Sequence, residues 1–244
     1  GCEWGCFDYS QQEPRLVVHF AATTTGIKED PSVKEIVENY ANNDIDFHQT
    51  VSDMAGISRI QAKTINLGLF YGMGKAKLQA ELGLSTKQEA EELFNKYHDR
   101  VPFVRDLMNE TSRWASREGE IRTLLGRGCR FDKWEPAQFG MHTPMTWEDA
   151  VKKYGENRIR RAFTYKALNK LIQGSAADMT KKSMLDLYKE GIIAHIQIHD
   201  ELDLSVESKE QADKIIEIME NAVKLAVPNK VDYESGKTWG DIYG

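Results

Sequence analysis

The sequence predicts an α+β fold from two observations: apolar runs of strand length near both ends of the chain, and helical periodicity through most of the middle. A third observation places chemistry on that scaffold. The tripeptide His199-Asp200-Glu201 sits between the apolar runs Ile192 to Ile198 and Leu202 to Val206. Strands of that composition belong in a core, where an ionised carboxylate costs several kcal/mol unless something pairs with it. Two adjacent acids there point to a metal cation.

Taken in order, Trp4, Cys6 and Phe7 lead into Asp8, and a second apolar run spans Leu16 to Ala22, so residues 4 to 22 read as strand-turn-helix or strand-strand. Gly26 to Asp53 turns polar and acidic and reads as a surface segment of short helices and loops. Ser58 to Leu82 has a helical pattern, with Ser58 as N-cap. Thr86 to Arg117 reads as two more helices broken near Val101-Pro102, with Leu93, Phe94, Tyr97, Phe103, Leu107 and Trp114 as core contacts. Ile121, Thr123 and Leu125 alternate before Gly126-Arg127-Gly128, a strand and turn. Residues 131 to 157 are the least regular and read as an insertion or mobile loop. A long helix is expected from Arg158 to Lys189, then the hairpin around Asp200, a helix from Lys209 to Leu225 and a closing strand near Val231.

Composition bounds the function. The 244 residues, 41% hydrophobic, can bury a proper core in one or two domains. A net charge of −6 argues against a chain whose whole surface grips nucleic acid, yet leaves room for a local basic groove. Arg122, Arg127 and Arg130, with Lys152, Lys153, Arg158, Arg160, Arg161, Lys166 and Lys170, supply such a surplus, either for phosphate contact or as solvated surface. Cys2, Cys6 and Cys129 are sparse and lack metal-finger spacing, which suits reduced thiols in a cytoplasmic setting and argues against zinc. No apolar run approaches the roughly 20 residues that span a bilayer, and no membrane partner is expected. The chain opens on Gly1 with an acidic motif close behind, which suggests a fragment, a processed product or half of a split protein.

On the helix from Ser58, Arg59, Lys63, Leu67 and Tyr71 recur at i+4 steps, each turning about 40° beyond a full turn, so the four share one broad face. Two cations on the first turns, where the helix dipole is positive, suit a polyphosphate, and an aromatic two turns later can stack on a base. The competing reading is a solvated surface pair. Gly68, Gly72 and Gly74 weigh against it, because each interior glycine costs a helix roughly 1 kcal/mol relative to alanine and so implies close approach or movement.

Here four stretches resemble family A DNA polymerases, in the right order. Lys63-Thr-Ile-Asn-Leu-Gly-Leu-Phe-Tyr71-Gly resembles the fingers-helix signature, and Asp8-Tyr-Ser-Gln-Gln-Glu13-Pro-Arg15 the palm motif with the first catalytic aspartate. His199-Asp200-Glu201-Leu resembles the motif with the second, and Asn169-Lys-Leu-Ile-Gln173-Gly-Ser-Ala-Ala-Asp178 the helix before it. Trp239-Gly240-Asp241 resembles the family's carboxyl terminus, and the style of the longer loop is closer to bacteriophage members. The resemblance implies an antiparallel palm sheet formed from both ends of the chain, with helical fingers inserted: palm at 1–25 and 161–244, fingers at 26–160, nucleotide helix at 58–82 and variable loop at 131–157.

The resemblance also implies template-directed addition of deoxyribonucleotides to a primer 3′-hydroxyl, in bacteriophage DNA replication within the host cytoplasm. Asp8, Asp200 and the backbone carbonyl of Tyr9 would bind two Mg2+ ions, and Lys63 would contact the triphosphate and protonate pyrophosphate. Arg59, Leu67, Tyr71 and His48 would complete the nucleotide site, with Glu13 as the barrier to a ribose 2′-hydroxyl. Asn169, Gln173, His199 and Arg15 would contact primer-template DNA, and Glu201 would be an accessory acid. Thumb and exonuclease are expected from an amino-terminal portion in the same or another chain.

Two positions depart from the pattern. Leu67 stands where the family has Phe or Tyr, so discrimination against a sugar lacking its 3′-hydroxyl does not carry over, and Tyr165 stands where the bacterial pattern has arginine. Competing classes are a non-catalytic DNA-binding subunit, which has no need of both aspartates, and a single-subunit RNA polymerase, against which Glu13 argues.

Overall fold

The computed structural model describes residues 2–42, 45–70, 75–138, 140 and 142–243. From the amino terminus the elements are β1 (Glu3–Tyr9), α1 (Gln12–Thr23), α2 (Pro31–Asn42), α3 (Phe47–Ala55), α4 (Arg59–Phe70) and α5 (Lys75–Glu81). Next come α6 (Lys87–Arg100), α7 (Pro102–Glu118), β2 (Glu120–Arg122), β3 (Gly128–Arg130), β4 (Trp134–Pro136), α8 (Trp147–Tyr154) and β5 (Ile159–Arg161). The chain closes with α9 (Ala167–Lys189), β6 (Ile196–Ile198), β7 (Glu201–Val206), α10 (Lys209–Asn221), β8 (Val231–Gly236) and α11 (Gly240–Tyr243). The fold is α+β, and two compact units divide it: Gly1–Phe47 with Ser175–Gly244, and His48–Gly174.

The first unit is built on a four-stranded antiparallel sheet in the order β6-β7-β1-β8, so strands from both ends of the chain lie side by side. Successive side chains of a strand face opposite ways, so each strand divides its residues between two faces. Phe7, Tyr9, Leu202, Leu204 and Val206 are buried on one of them, each apolar side chain contributing about 1.5–3 kcal/mol by leaving water. Helices cover this face: the Tyr9 hydroxyl donates to the Met219 carbonyl on α10 at 2.5 Å and lies 2.6 Å from Ser183 Oγ on α9. Phe7 stacks on Tyr233 of β8 at 4.7 Å between ring centroids. Trp4, Cys6, Asp8, Glu201 and Asp203 occupy the opposite face.

Strand β6 corrects a sequence expectation. The run Ile192 to Ile198 does not enter the core, for only residues 196–198 form a strand, and it is an outer one. Ile193, Ile196 and Ile198 are 62%, 40% and 39% exposed. Burial on both sides is reached only by inner strands, and β7 has that place.

The run Leu16 to Ala22 resolves as helix α1. Gln11, in the left-handed region at φ 53°, starts it, accepting from the Phe47 amide and donating to the Ile45 carbonyl, both at 2.7 Å. Gly26 to Asp53 is less superficial than expected: α2 buries Val33, Ile36 and Tyr40, and α3 begins on buried Phe47.

In the second unit, α4 opens on a reciprocal cap, the Gln61 amide donating to Ser58 Oγ at 3.2 Å and the Ser58 amide to Gln61 Oε1 at 3.0 Å. The expected single helix from Ser58 to Leu82 appears as α4 and α5, with residues 71–74 outside the described residues. Helices α6 and α7 meet at Val101-Pro102, and Tyr97, Phe103 and Leu107 are fully buried, with Leu93, Phe94 and Trp114 half-buried. β2 and β3 form the expected hairpin.

Two further expectations are corrected here. Residues 131–157 are no structureless insertion among the described residues: β4 pairs with β5, and Thr146 caps α8 by accepting from the Asp149 amide at 3.2 Å. The helix expected from Arg158 starts at Ala167, because 159–161 are taken into β5 and Phe163 adopts φ 64°. Arg161 helps hold that strand, with its guanidinium 4.6 Å from the Trp134 ring centroid and bonded to the Phe131 carbonyl at 2.8 Å. The helix expected to Leu225 ends at Asn221.

Gly5 on β1 tests the packing of the first unit. A Cβ there would lie 2.7 Å from Val206 Cγ2 and 3.0 Å from the Tyr233 ring. Gly5→Ala should destabilise by about 1–3 kcal/mol, as overpacking does. An unchanged urea midpoint would show that the sheet relaxes freely.

Candidate functional site

The acids of the first unit converge because of strand register. Asp8 pairs with Glu201 on one side and Asp232 on the other, and Asp200 immediately precedes β7 in the two-residue turn after Ile198. That turn is held by an unusual backbone: His199 has φ 52°, a region costly for a residue with a Cβ. The Tyr9 amide donates to the Asp200 carbonyl at 3.4 Å, tying the turn to the end of β1.

This crowding shows in the acidities. Burial pushes Asp8 up to about 7, and the neighbouring charges of Asp200, Glu201 and Asp232 push the same way. Asp200 is raised too, chiefly by burial, against an opposing backbone hydrogen bond and the pull of His199. Burial and neighbouring negative charge thus favour the protonated form of Asp8 at a pH where an isolated carboxylate is ionised. Carboxylates that repel in the absence of a cation are what a hard divalent ion takes as ligands, and the donor set fits Mg2+. Asp232, which the sequence reading did not single out, belongs to this group; its ion pair with Lys230 at 3.5 Å offsets part of its charge.

The second unit presents a cationic helix. Arg59 and Lys63 are exposed on the first turns of α4 and Leu67 is half-buried, while Ala62, Ile65 and Asn66 form its buried side. Tyr71 lies outside the described residues. His48 is oriented rather than loose: Asn66 Nδ2 lies 3.1 Å from its Nδ1, and the Asn66 carbonyl oxygen accepts from the buried Tyr97 hydroxyl. With that oxygen so engaged, the amide nitrogen donates to Nδ1, which sets the imidazole proton on Nε2. Asn66 and Tyr97 were visible in sequence only as a helix residue and a core aromatic.

Arg15 does not keep its expected DNA contact. It is 3% exposed, donates to the carbonyls of Ser10 at 2.8 Å and Pro228 at 2.5 Å, and packs 4.7 Å from the Tyr40 ring centroid. It braces the sheet end against α2. Glu13 is half-buried in the first turn of α1, Asn169 is half-buried and Gln173 exposed on α9, and His199 is exposed at its turn. Part of the basic surplus is committed within the protein. Arg122 pairs with Glu120 at 2.6 Å, Arg160 with Glu135 at 2.8 Å, and Arg127 donates to the Gly174 carbonyl at 2.8 Å.

The profile of DNA polymerase family A matches residues 2–241, and the chain belongs to that family. It is 34% identical to a DNA-directed DNA polymerase of Pseudomonas phage M6 across its whole length, and 32% identical to DNA polymerase I of Geobacillus stearothermophilus over 98% of its length. It spans 39% of the first relative and 26% of the second. The POL domain of Pol1 from M. smegmatis, solved in complex with DNA primer-template and dNTP, superposes with a TM-score of 0.75 at 27% identity, over 99% of this chain and 41% of that one. Among the described residues no helix is long and apolar enough to cross a membrane.

The Asp8 shift has a consequence for stability. Between about pH 4 and pH 7 the folded chain keeps a proton on Asp8 that the unfolded chain, with an ordinary value of 3.8, has lost. Its contribution is therefore fully present below about pH 4 and lost as pH rises through 7. In chelator, Asp8→Asn should flatten this part of the stability profile and raise the unfolding midpoint at about pH 8. The same slope in variant and parent would refute the crowded carboxyl pair.

Proposed function

We propose that this chain carries the nucleotidyl-transfer region of a template-directed DNA polymerase, adding deoxyribonucleotides to a primer 3′-hydroxyl. The observation that carries the reading is the meeting of the Asp8 and Asp200 carboxyls, from opposite ends of the chain, in a member of DNA polymerase family A. The palm comprises residues 1–25 and 161–244 and the fingers residues 26–160; the division into two compact units, Gly1–Phe47 with Ser175–Gly244 and His48–Gly174, supports a two-part organisation.

Asp8 and Asp200, with the Tyr9 carbonyl, would hold two Mg2+ ions, which would supply Lewis acidity to the primer hydroxyl and positive charge to the leaving pyrophosphate. Binding of the ions would displace the proton that burial and neighbouring charge favour on Asp8 in the metal-free chain. Arg59 and Lys63 bind the triphosphate at the positive end of α4; the permanent charge of Arg59 suits bidentate phosphate contact, and the Lys63 ammonium can return a proton to pyrophosphate. His48, with its proton directed to Nε2 by Asn66, offers one further donor to a phosphate. Glu13 is the barrier to a ribose 2′-hydroxyl, and Glu201 supports the Asp8–Asp200 pair as an accessory acid. Asn169, Gln173 and His199 contact the primer-template, where minor-groove acceptors shared by every base pair report geometry rather than sequence.

The greater length of the relatives supports an amino-terminal portion supplying thumb and editing functions. The phage relative supports a role in viral DNA replication in the host cytoplasm.

Primer extension with Mg2+ on the full-length chain tests the reading. Asp8→Asn and Asp200→Asn should each slow extension by on the order of 10³-fold, the loss of several kcal/mol of transition-state stabilisation. Activity unaffected by both would sink the proposal. Glu13→Ala should raise ribonucleotide incorporation while deoxyribonucleotide extension persists, and an unchanged sugar preference would remove Glu13 from the gate.

A further inference from the structure

Beside the acids just described lies a second ligand set, which shares only the accessory Glu201 with the proposed reaction. Cys6 on β1 pairs in register with Asp203 on β7, and Glu201 follows two residues before Asp203 on the same face. Cys6 Sγ and one carboxylate oxygen each from Glu201 and Asp203 lie within 4.8 Å of one another. Asp203 is 0% exposed, and neither of its carboxylate oxygens has a hydrogen-bond partner among the described residues. A buried carboxylate with nothing to neutralise it is strongly destabilising, so one aimed at a thiol and a second carboxylate implies a ligand.

We propose that Cys6, Glu201 and Asp203 form a binding site for a divalent transition-metal ion of the zinc type. One sulfur and two oxygens from three protein groups match a zinc site that keeps a fourth position for water. Magnesium and calcium, which take oxygen ligands, would leave the sulfur unused. Binding displaces the Cys6 thiol proton to solvent and leaves a metal-bound thiolate. Trp4 and His195, whose ring centroids are 6.0 Å apart across β7, flank the region, and Trp4 Nε1 is a buried donor also lacking a partner among the described residues. The bound ion clips β1 to β7 and so braces the sheet. The site uses neither Asp8 nor Asp200 and shares only Glu201 with the polymerase reading, so it is tested with that acid pair removed.

The test uses protein carrying Cys2→Ser and Cys129→Ser, so that Cys6 is the one thiol, together with Asp8→Asn and Asp200→Asn to silence the acid pair. After removal of metal by chelator, Co2+ is titrated as a spectroscopic stand-in and Zn2+ stoichiometry is measured. The proposal expects a thiolate-to-cobalt charge-transfer band saturating at one ion per chain, displaced by Zn2+ and not by excess Mg2+. Asp203→Asn should weaken Zn2+ binding at least tenfold, and Cys6→Ser should abolish the band while circular dichroism shows the fold intact. No band in the Cys6-only protein, or a band whose affinity is unchanged by Asp203→Asn, would overturn the site. Both outcomes are separable from loss of primer extension, which this protein does not report.

Discussion

The antiparallel pairing of β1 with β7 is the interaction on which everything else in the first unit depends. It puts Asp8 opposite Glu201, and so brings the first acidic motif of the chain against the last. A slip of one residue would turn every side chain of β1 to the other face, sending Asp8 and Cys6 into the helices and Phe7 and Tyr9 to the acidic side. The register is fixed by what those residues do on the covered face. Phe7 stacks on Tyr233, and the Tyr9 hydroxyl reaches both α9 and α10. An apolar face thereby positions a polar one.

That positioning carries an electrostatic cost. Asp8, Asp200, Glu201 and Asp232 gather at one end of the sheet, and burial with this negative charge pushes Asp8 up to about 7. A left-handed His199 adds backbone strain at the same turn. Strain and like charge concentrated at one place are the usual mark of a site whose stability is completed by a ligand. The sheet tolerates them because its other face, with Leu202, Leu204 and Val206, is fully packed.

Much of this was legible in sequence, for reasons that also explain the rest. The α+β class, the cap at Ser58, the break at Val101-Pro102 and the β2–β3 hairpin are all written in local residue chemistry. The fate of Ile192 to Ile198 was not, because hydropathy cannot tell an inner strand from an outer one. Arg158 to Lys166 has helical composition but was taken by a strand partner, and partners are not local information. Arg15 illustrates the same limit at a single residue: a cation beside an acidic motif reads as a DNA contact, whereas in the fold two backbone carbonyls and a tyrosine ring enclose it. Cysteine spacing argued against zinc because spacing detects ligands along a chain. Cys6 and Asp203 become neighbours only through the register of two distant strands.

The central claim is that the crowded acids await a cation and give up a proton to receive it. Calorimetric titration of Mg2+ at about pH 6.5, repeated in buffers of different ionisation enthalpy, measures that exchange directly. The account predicts net proton release from the parent chain, shrinking as pH rises through about 7 and absent in Asp8→Asn. Mg2+ binding with no proton released near pH 6.5, or with the same release after Asp8→Asn, would contradict it.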